Sequence, residues 1–303
     1  MNFAGLLSDP SVRSISAGDL RATFLPKHGM LCASLNHRGV EFLRRLEDLE
    51  SSAAKGSTAG IPLLHPWANR LASTSYDTAG HHVVLDPSSP LLHLDSNGLP
   101  MHGVPWSLLS FDVTESKADS ITAKLDWDRD DLLAVFPFPH QLEIKVMIQS
   151  GELTIETNLI AGSQTVPVSF GFHPYFGIPD VPRVNWKLRM PRMRKLVLDK
   201  FGIPTGEERP CEAFDAELGD RSFDDGFALI DPHASFALEG AGSKITVEFV
   251  EGFRYAQIFA PKDKDFVALE PMTAPTNALT PGRGLEYAQP GKAFRTAFRI
   301  RVS

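Results

Sequence analysis

The segment "QLEIKVMIQSGELTIETNLI", residues 141–160, alternates apolar and polar residues twice around a Ser-Gly pair. Leu142, Ile144, Val146 and Ile148 share one face, and Glu143 and Lys145 occupy the other. Leu153, Ile155 and Leu159 continue the pattern after Ser150-Gly151. A period of two places side chains on opposite faces of a strand, and a short Ser-Gly link between two such runs reads as a hairpin. The same alternation occurs in "SITAKLDW" and in the C-terminal "FRIRV". A helical spacing is clear only in "EFLRRLEDLESSAAK", residues 41–55, where Phe42, Leu46 and Leu49 fall near one face. Gly and Pro number 23 each among 303 residues, which favours many short strands joined by turns. The expected fold is all-β, a large sandwich with few short helices.

There is no internal repeat, charge block or change of composition. "KGSTAG", residues 55–60, is the one flexible-looking stretch. Residues 1–303 are therefore expected to form one domain. A formal charge of −7 argues against nucleic acid or an anionic membrane as the main partner. Cys32 and Cys211 are too few for a disulfide framework and lack metal-ligand spacing. No apolar run approaches a membrane span, and the first residues carry no secretory pattern, so the expectation is a cytoplasmic protein. Nucleophile-elbow, phosphate-loop and zinc-helix motifs are absent.

Five stretches could carry chemistry. In "PVSFGFHPYFGIP", residues 167–179, a strand over 168–173 would put Val168, Phe170 and Phe172 on one face. Ser169, Gly171 and His173 would line the other, with room for a ligand before the imidazole. In "FVALEPMTAPTNAL", residues 266–279, Glu270 ends an apolar run and shares a face with Phe266 and Ala268. An unpaired glutamate is rarely buried, so Glu270 is either functional or paired with a core arginine. Each of His173 and Glu270 is followed by proline, which fixes the chain and ends a ladder. The others are "IPLLHPWANRL" with Asn69 and Arg70, "GLPMHGVPW" with His102, and "RSFDDGFAL" with Asp224 and Asp225. Each of these three also has a plain structural reading, Asp-Asp-Gly as a turn and Arg70 as a surface charge among them.

In this order the five stretches resemble the aldose 1-epimerase (galactose mutarotase-like) family, over roughly residues 18 to 300. "ALEPMTAPTNAL" carries the most specific likeness, followed by "FGFHPYF" and "ANRL". The resemblance implies a β-supersandwich and a cofactor-free isomerase that exchanges the α and β anomers of a small sugar; no metal requirement is expected, because His102, His173 and Glu270 lack the short ligand spacing of usual metal sites. It assigns the base to Glu270 and the acid to His173. Sugar binding falls to Arg70, with Asn69 before it, to His102, and to Asp224, with Asp225 the competing neighbour. Trp67, Phe172 and Tyr175 could pack on the apolar face of a sugar, with core packing the first reading for any one of them. A hexose 6-phosphate epimerase and a non-catalytic carbohydrate-binding protein on the same fold are the alternatives. Only Arg70 and Arg221 are basic within the five stretches, so a neutral aldohexose is expected. A basic cluster at 183–195, "RVNWKLRMPRMRK", is the one other candidate for holding an anion.

Overall fold

The computed structural model describes residues 5–47 and 49–303. Two large sheets hold most of the chain. Nine strands form the first, in the order 214–217, 187–190, 235–240, 243–251, 293–302, 152–161, 140–149, 120–127, 112–116. The predicted hairpin is its centre: His140–Gln149 and Glu152–Ala161 pair antiparallel across Ser150-Gly151. Leu142, Ile144, Val146 and Ile148 are buried, as the alternation requires.

The second sheet runs 204–211, 193–198, 223–229, 255–260, 267–272, 171–172, 63–64, with 175–176 also paired to 267–272. Phe227, Ile258 and Leu269 from this sheet join Ile144, Phe298 and Ile300 from the first in one apolar cluster. Phe172 meets Phe298 across it, ring centroids 5.1 Å apart. A four-stranded antiparallel sheet over residues 13–41 lies at the N-terminal end. Among the described residues α-helix is confined to Leu49–Lys55 and Asp130–Val135. No described helix is long and apolar enough to cross a membrane.

Two local expectations are corrected. The stretch 41–55 is helical only from Leu49, with residue 48 outside the described residues. Val40–Glu41 is a strand instead, and the Glu41 carboxylate accepts the N–H groups of Leu35 and Leu43, each at 2.9 Å. Those bonds fix the chain against an earlier strand and bury both Phe42 and Leu43. The run 168–173 is likewise not one strand. Val166–Val168 pairs with Glu286–Ala288, whereas Gly171–Phe172 pairs with Leu64 and Leu63 and with Met272. Between them the Phe170 carbonyl accepts both the N–H and the hydroxyl of Thr273. The apolar face survives this change of sheet: Val168, Phe170 and Phe172 all lie in the main core.

Candidate active site

Register explains why histidine and glutamate each precede proline. Gly171 opposes Met272 and Tyr175 opposes Ala268, which sets His173 opposite Glu270. The ladder is open there, because His173 N–H turns to the Pro62 carbonyl at 3.1 Å. Pro174 and Pro271 both fall in this gap, where a missing amide donor costs little. The strand does not end at Glu270, as expected from sequence, but continues through Pro271 to Met272.

The next strand adds two further columns. Gln257 opposes Glu270 and Gly226 opposes Gln257, while Phe259 opposes Ala268 and Asp224 opposes Phe259. One face of the sheet therefore carries two rows, Gly226–Gln257–Glu270–His173 and Asp224–Phe259–Ala268–Tyr175. Asp225 falls on the opposite parity and pairs with Lys195 at 2.7 Å. Both aspartates lie within the strand Phe223–Leu229 and not in a turn. Asp224 is thus the one that lines the cavity, and it accepts Gln257 Nε2–H at 2.8 Å.

Two loops close the site from above. Asn69 and His102 both adopt left-handed backbone, with φ of 58° and 65°. Non-glycine residues hold such geometry when the surroundings enforce it, and functional sites collect it. Here His102 N–H donates to the Asn69 carbonyl at 2.8 Å, and Asn69 N–H donates to His102 Nδ1 at 3.2 Å. The second bond makes Nδ1 an acceptor, so the ring proton of neutral His102 sits on Nε2. Burial, aided by the Arg70 charge, pushes the His102 pKa down to about 3, which keeps the ring neutral. Gly103 is required beside it, since a side chain there would collide with the His65 carbonyl. Arg70 donates from Nε to Asp95 at 2.8 Å and from Nη1 to Asn69 Oδ1 at 3.1 Å. Asp95 also accepts the N–H groups of Asn97 and Leu99. Burial works to raise its pKa, but the Arg70 bond and those amides hold it below the usual carboxylate range. Arg70 is accordingly a positioned cation rather than a loose surface charge.

The result is a cavity of about 250 Å³ lined by all six candidates: Glu270, His173, Arg70, Asn69, His102 and Asp224. At its floor His173 Nε2 lies 3.3 Å from Glu270 Oε1 and 3.2 Å from the Tyr175 hydroxyl. Glu270 and His173 are 1% and 4% exposed. Glu270 Oε2 and His173 Nδ1 are buried without a hydrogen-bond partner. Burial, with the nearby Asp224 charge adding to it, pushes the Glu270 pKa well above the usual carboxylate range. Burial and the neighbouring His102 and Arg45 push the His173 pKa well below that of free imidazole. The alternative of a structural ion pair between Glu270 and a core arginine is not what the geometry presents, because its contact is the imidazole.

Tyr175 stacks on His173 with centroids 4.2 Å apart and planes 16° from parallel. Its hydroxyl receives Arg45 Nη1–H at 2.9 Å and lies 2.5 Å from Thr58 Oγ1. Of the aromatics expected near a ligand, Tyr175 lines the cavity, whereas Trp67 and Phe172 belong to the main core. The space at Gly171 is also taken, by the Pro271 carbonyl, Ala68 and Met272, and offers nothing to a ligand. Residues 183–195 lie elsewhere, and their charges are satisfied. Lys187 and Arg189 reach Asp215, Arg194 reaches Glu208, and the Arg183 guanidinium caps the Gly219, Arg221 and Ala260 carbonyls. Among the described residues no group of three or more His, Cys, Asp or Glu side chains is arranged to hold a metal ion.

Sequence reading missed Arg45, Asp95, Gln257 and Phe259. Gln257 had a signal, being the lone polar residue facing inward in the apolar strand Tyr255–Ala260. Asp95 sits in "DSNG", where an aspartate commonly bonds amides ahead of it in a turn.

Known structures share this architecture. The Slr1438 protein from Synechocystis sp. PCC 6803 is 23% identical with a TM-score of 0.79, covering 97% of this chain and 96% of that one. A galactose mutarotase-like protein from Clostridium acetobutylicum is 18% identical, TM-score 0.79, covering 96% and 95%. The GalM/aldose epimerase homologue from C. elegans is 15% identical, TM-score 0.79, covering 97% and 98%. At such identities the likeness is one of fold. No curated protein matches the chain. The family model for aldose 1-epimerase matches residues 14–301, almost the entire sequence. The chain belongs to the aldose 1-epimerase family.

Proposed function

We propose that the protein interconverts the α and β anomers of an aldohexose, with Glu270 as base and His173 as acid. The observation that carries this reading is the buried 3.3 Å contact between the two at the floor of a cavity lined with hydroxyl-binding groups. Ring opening removes the C1 hydroxyl proton, forms the C1 carbonyl, breaks the C1–O5 bond and leaves its electron pair on O5. Glu270 receives the first proton and His173 Nε2 supplies one to O5. Rotation about C1–C2 and reversal of the steps close the ring on the other face. A carboxylate with raised pKa is a stronger base, and an imidazolium with lowered pKa is a stronger acid. The two shifts thus suit the assigned directions of transfer. Arg70 lowers the Glu270 pKa and so favours its charged form.

A pH profile tests the pair. The competent state holds one proton between the two groups. A second proton would leave a buried net positive charge, and none would leave a buried net negative charge. Burial disfavours both. A bell-shaped kcat/KM with a flat top is expected. Its acid limb should fall below the imidazole value of 6.5, because the His173 pKa is lowered. Its alkaline limb should fall above the carboxylate value of 4.5, because the Glu270 pKa is raised. Polarimetric rate constants at closely spaced pH values give the profile, and a rate that climbs steadily with pH would contradict a one-proton pair.

Arg70→Ala should raise KM by roughly tenfold or more while changing kcat less. A charge-assisted bond to sugar is worth about 1.5–3 kcal/mol and serves ground and transition states alike. Unchanged KM with collapsed kcat would remove Arg70 from this role.

A further inference from the structure

Arg45 stands in the cavity wall, in the stretch read from sequence as helix. Its backbone is left-handed, φ 62°, like those of Asn69 and His102 across the cavity. Nη1–H donates to the Tyr175 hydroxyl, and the guanidinium carbon lies 4.9 Å from the Tyr175 ring centroid and 6.0 Å from that of Phe266. Among the described residues no carboxylate pairs with it, so four of its five N–H donors have no protein acceptor. Arg70 is spoken for by Asp95, and the 183–195 cations by their own acids or, for Arg183, by backbone carbonyls. Glu47 and Lys55, of opposite charge, line a second, smaller depression whose wall Arg45 also joins.

Position indicates which part of a sugar Arg45 would meet. His173 Nε2 lies 3.3 Å from Glu270 Oε1 and 3.2 Å from the Tyr175 hydroxyl, the group that Arg45 itself contacts. With O5 at Nε2 and C1 toward Glu270, C5 falls on the Tyr175 side. C5 bears C6, which is then directed at Arg45 and at Ser57, its neighbour on the cavity wall. A planar fork with free donors is matched to a carboxylate or phosphate and is more than a neutral hydroxymethyl group can use.

We infer that Arg45 forms an anion subsite for a carboxylate or phosphate carried on C6 of the sugar. The inference rests on the anomer-exchange reading for the orientation of the ring. It also revises the sequence expectation of a neutral aldohexose, which counted only Arg70 and Arg221 as available bases.

Titration calorimetry at about 0.15 M salt, where surface charge is screened, compares glucose, glucuronate and glucose 6-phosphate. The wild-type protein should bind at least one anionic sugar tenfold or more tightly than glucose, and which one does so identifies the anion. Arg45→Gln should cut that ratio at least tenfold, whatever it does to glucose itself, and Arg45→Lys should keep part of it. Equal affinities for all three sugars in the wild type would overturn the subsite even if a variant fails to fold. So would an anion preference that survives intact in Arg45→Gln. Turnover of the same sugars reads the enzyme assignment separately. Preference without anomer exchange would leave the subsite and remove the enzyme reading, whereas exchange without preference would do the reverse.

Discussion

Glu270→Gln should lose at least ~10²-fold in kcat, the low end for removing a general base, and at the same time make the protein more stable. Glutamine keeps the shape of the side chain and can still face His173, so the loss isolates the missing base. The gain arises because a buried carboxylate without an arginine partner must carry a proton or leave a charge in low dielectric. Its folded-state pKa is raised above the unfolded value. The stability it contributes is therefore complete below the unfolded pKa, near 4.5, and is lost as pH rises through the folded value. An amide does not titrate, so the variant's advantage should be small at pH 5 and larger at pH 8. A difference of about 1 kcal/mol would appear as roughly 2–4 °C in Tm. Calorimetric scans at both pH values read it. A variant with near-normal turnover, or one whose Tm difference shrinks as pH rises, would remove Glu270 from the base role or from its unpaired environment.

His173→Asn should also cost at least ~10²-fold in kcat, for a different reason. The carboxylate can still take the C1 proton, but O5 then leaves as an unprotonated alkoxide. Asparagine fills less of the space against Tyr175, whose ring stacks on the imidazole. His173→Gln, closer in volume, separates that packing loss from the chemistry. Both variants should be folded and slow, and the alkaline limb of the pH profile should disappear with the imidazole, leaving a residual rate that rises as the Glu270 carboxylate ionises. Normal turnover in either variant would rule out the imidazole as the acid.

The chain shows its sheets more openly than its site. Leu142, Ile144, Val146 and Ile148 reveal their burial because each strand has one wet face and one dry face, so local pattern and tertiary environment agree. The strand Val267–Met272 is buried throughout, and there alternation carries no information about which residues face the cavity. The His-Pro and Glu-Pro pairs were visible, yet their meaning, two prolines in one ladder gap, depends on a register between residues almost a hundred apart. Asp224 and Asp225 are adjacent and chemically identical, and only strand parity separates the one in the cavity from the one paired with Lys195. Arg45 was hidden for another reason. The spacing of Phe42, Leu46 and Leu49 suggests a helix, but the Glu41 carboxylate captures two backbone amides and ties the chain to an earlier strand, and Arg45 itself takes left-handed backbone. A polar side chain that competes with the ladder for amides leaves no periodic trace.

Anomer exchange driven by the Glu270–His173 pair is open to direct measurement. Two-dimensional exchange NMR on equilibrium mixtures of α and β glucose, galactose, glucuronate and glucose 6-phosphate measures it without perturbing the equilibrium. With the wild-type protein, cross-peaks between the two anomeric protons should grow faster than in buffer for at least one sugar. With the Glu270→Gln, His173→Gln double variant, folded and at equal concentration, they should return to the buffer rate. Cross-peaks that build up at the buffer rate for every sugar with the wild-type protein, or at an undiminished rate with the double variant, would contradict the account.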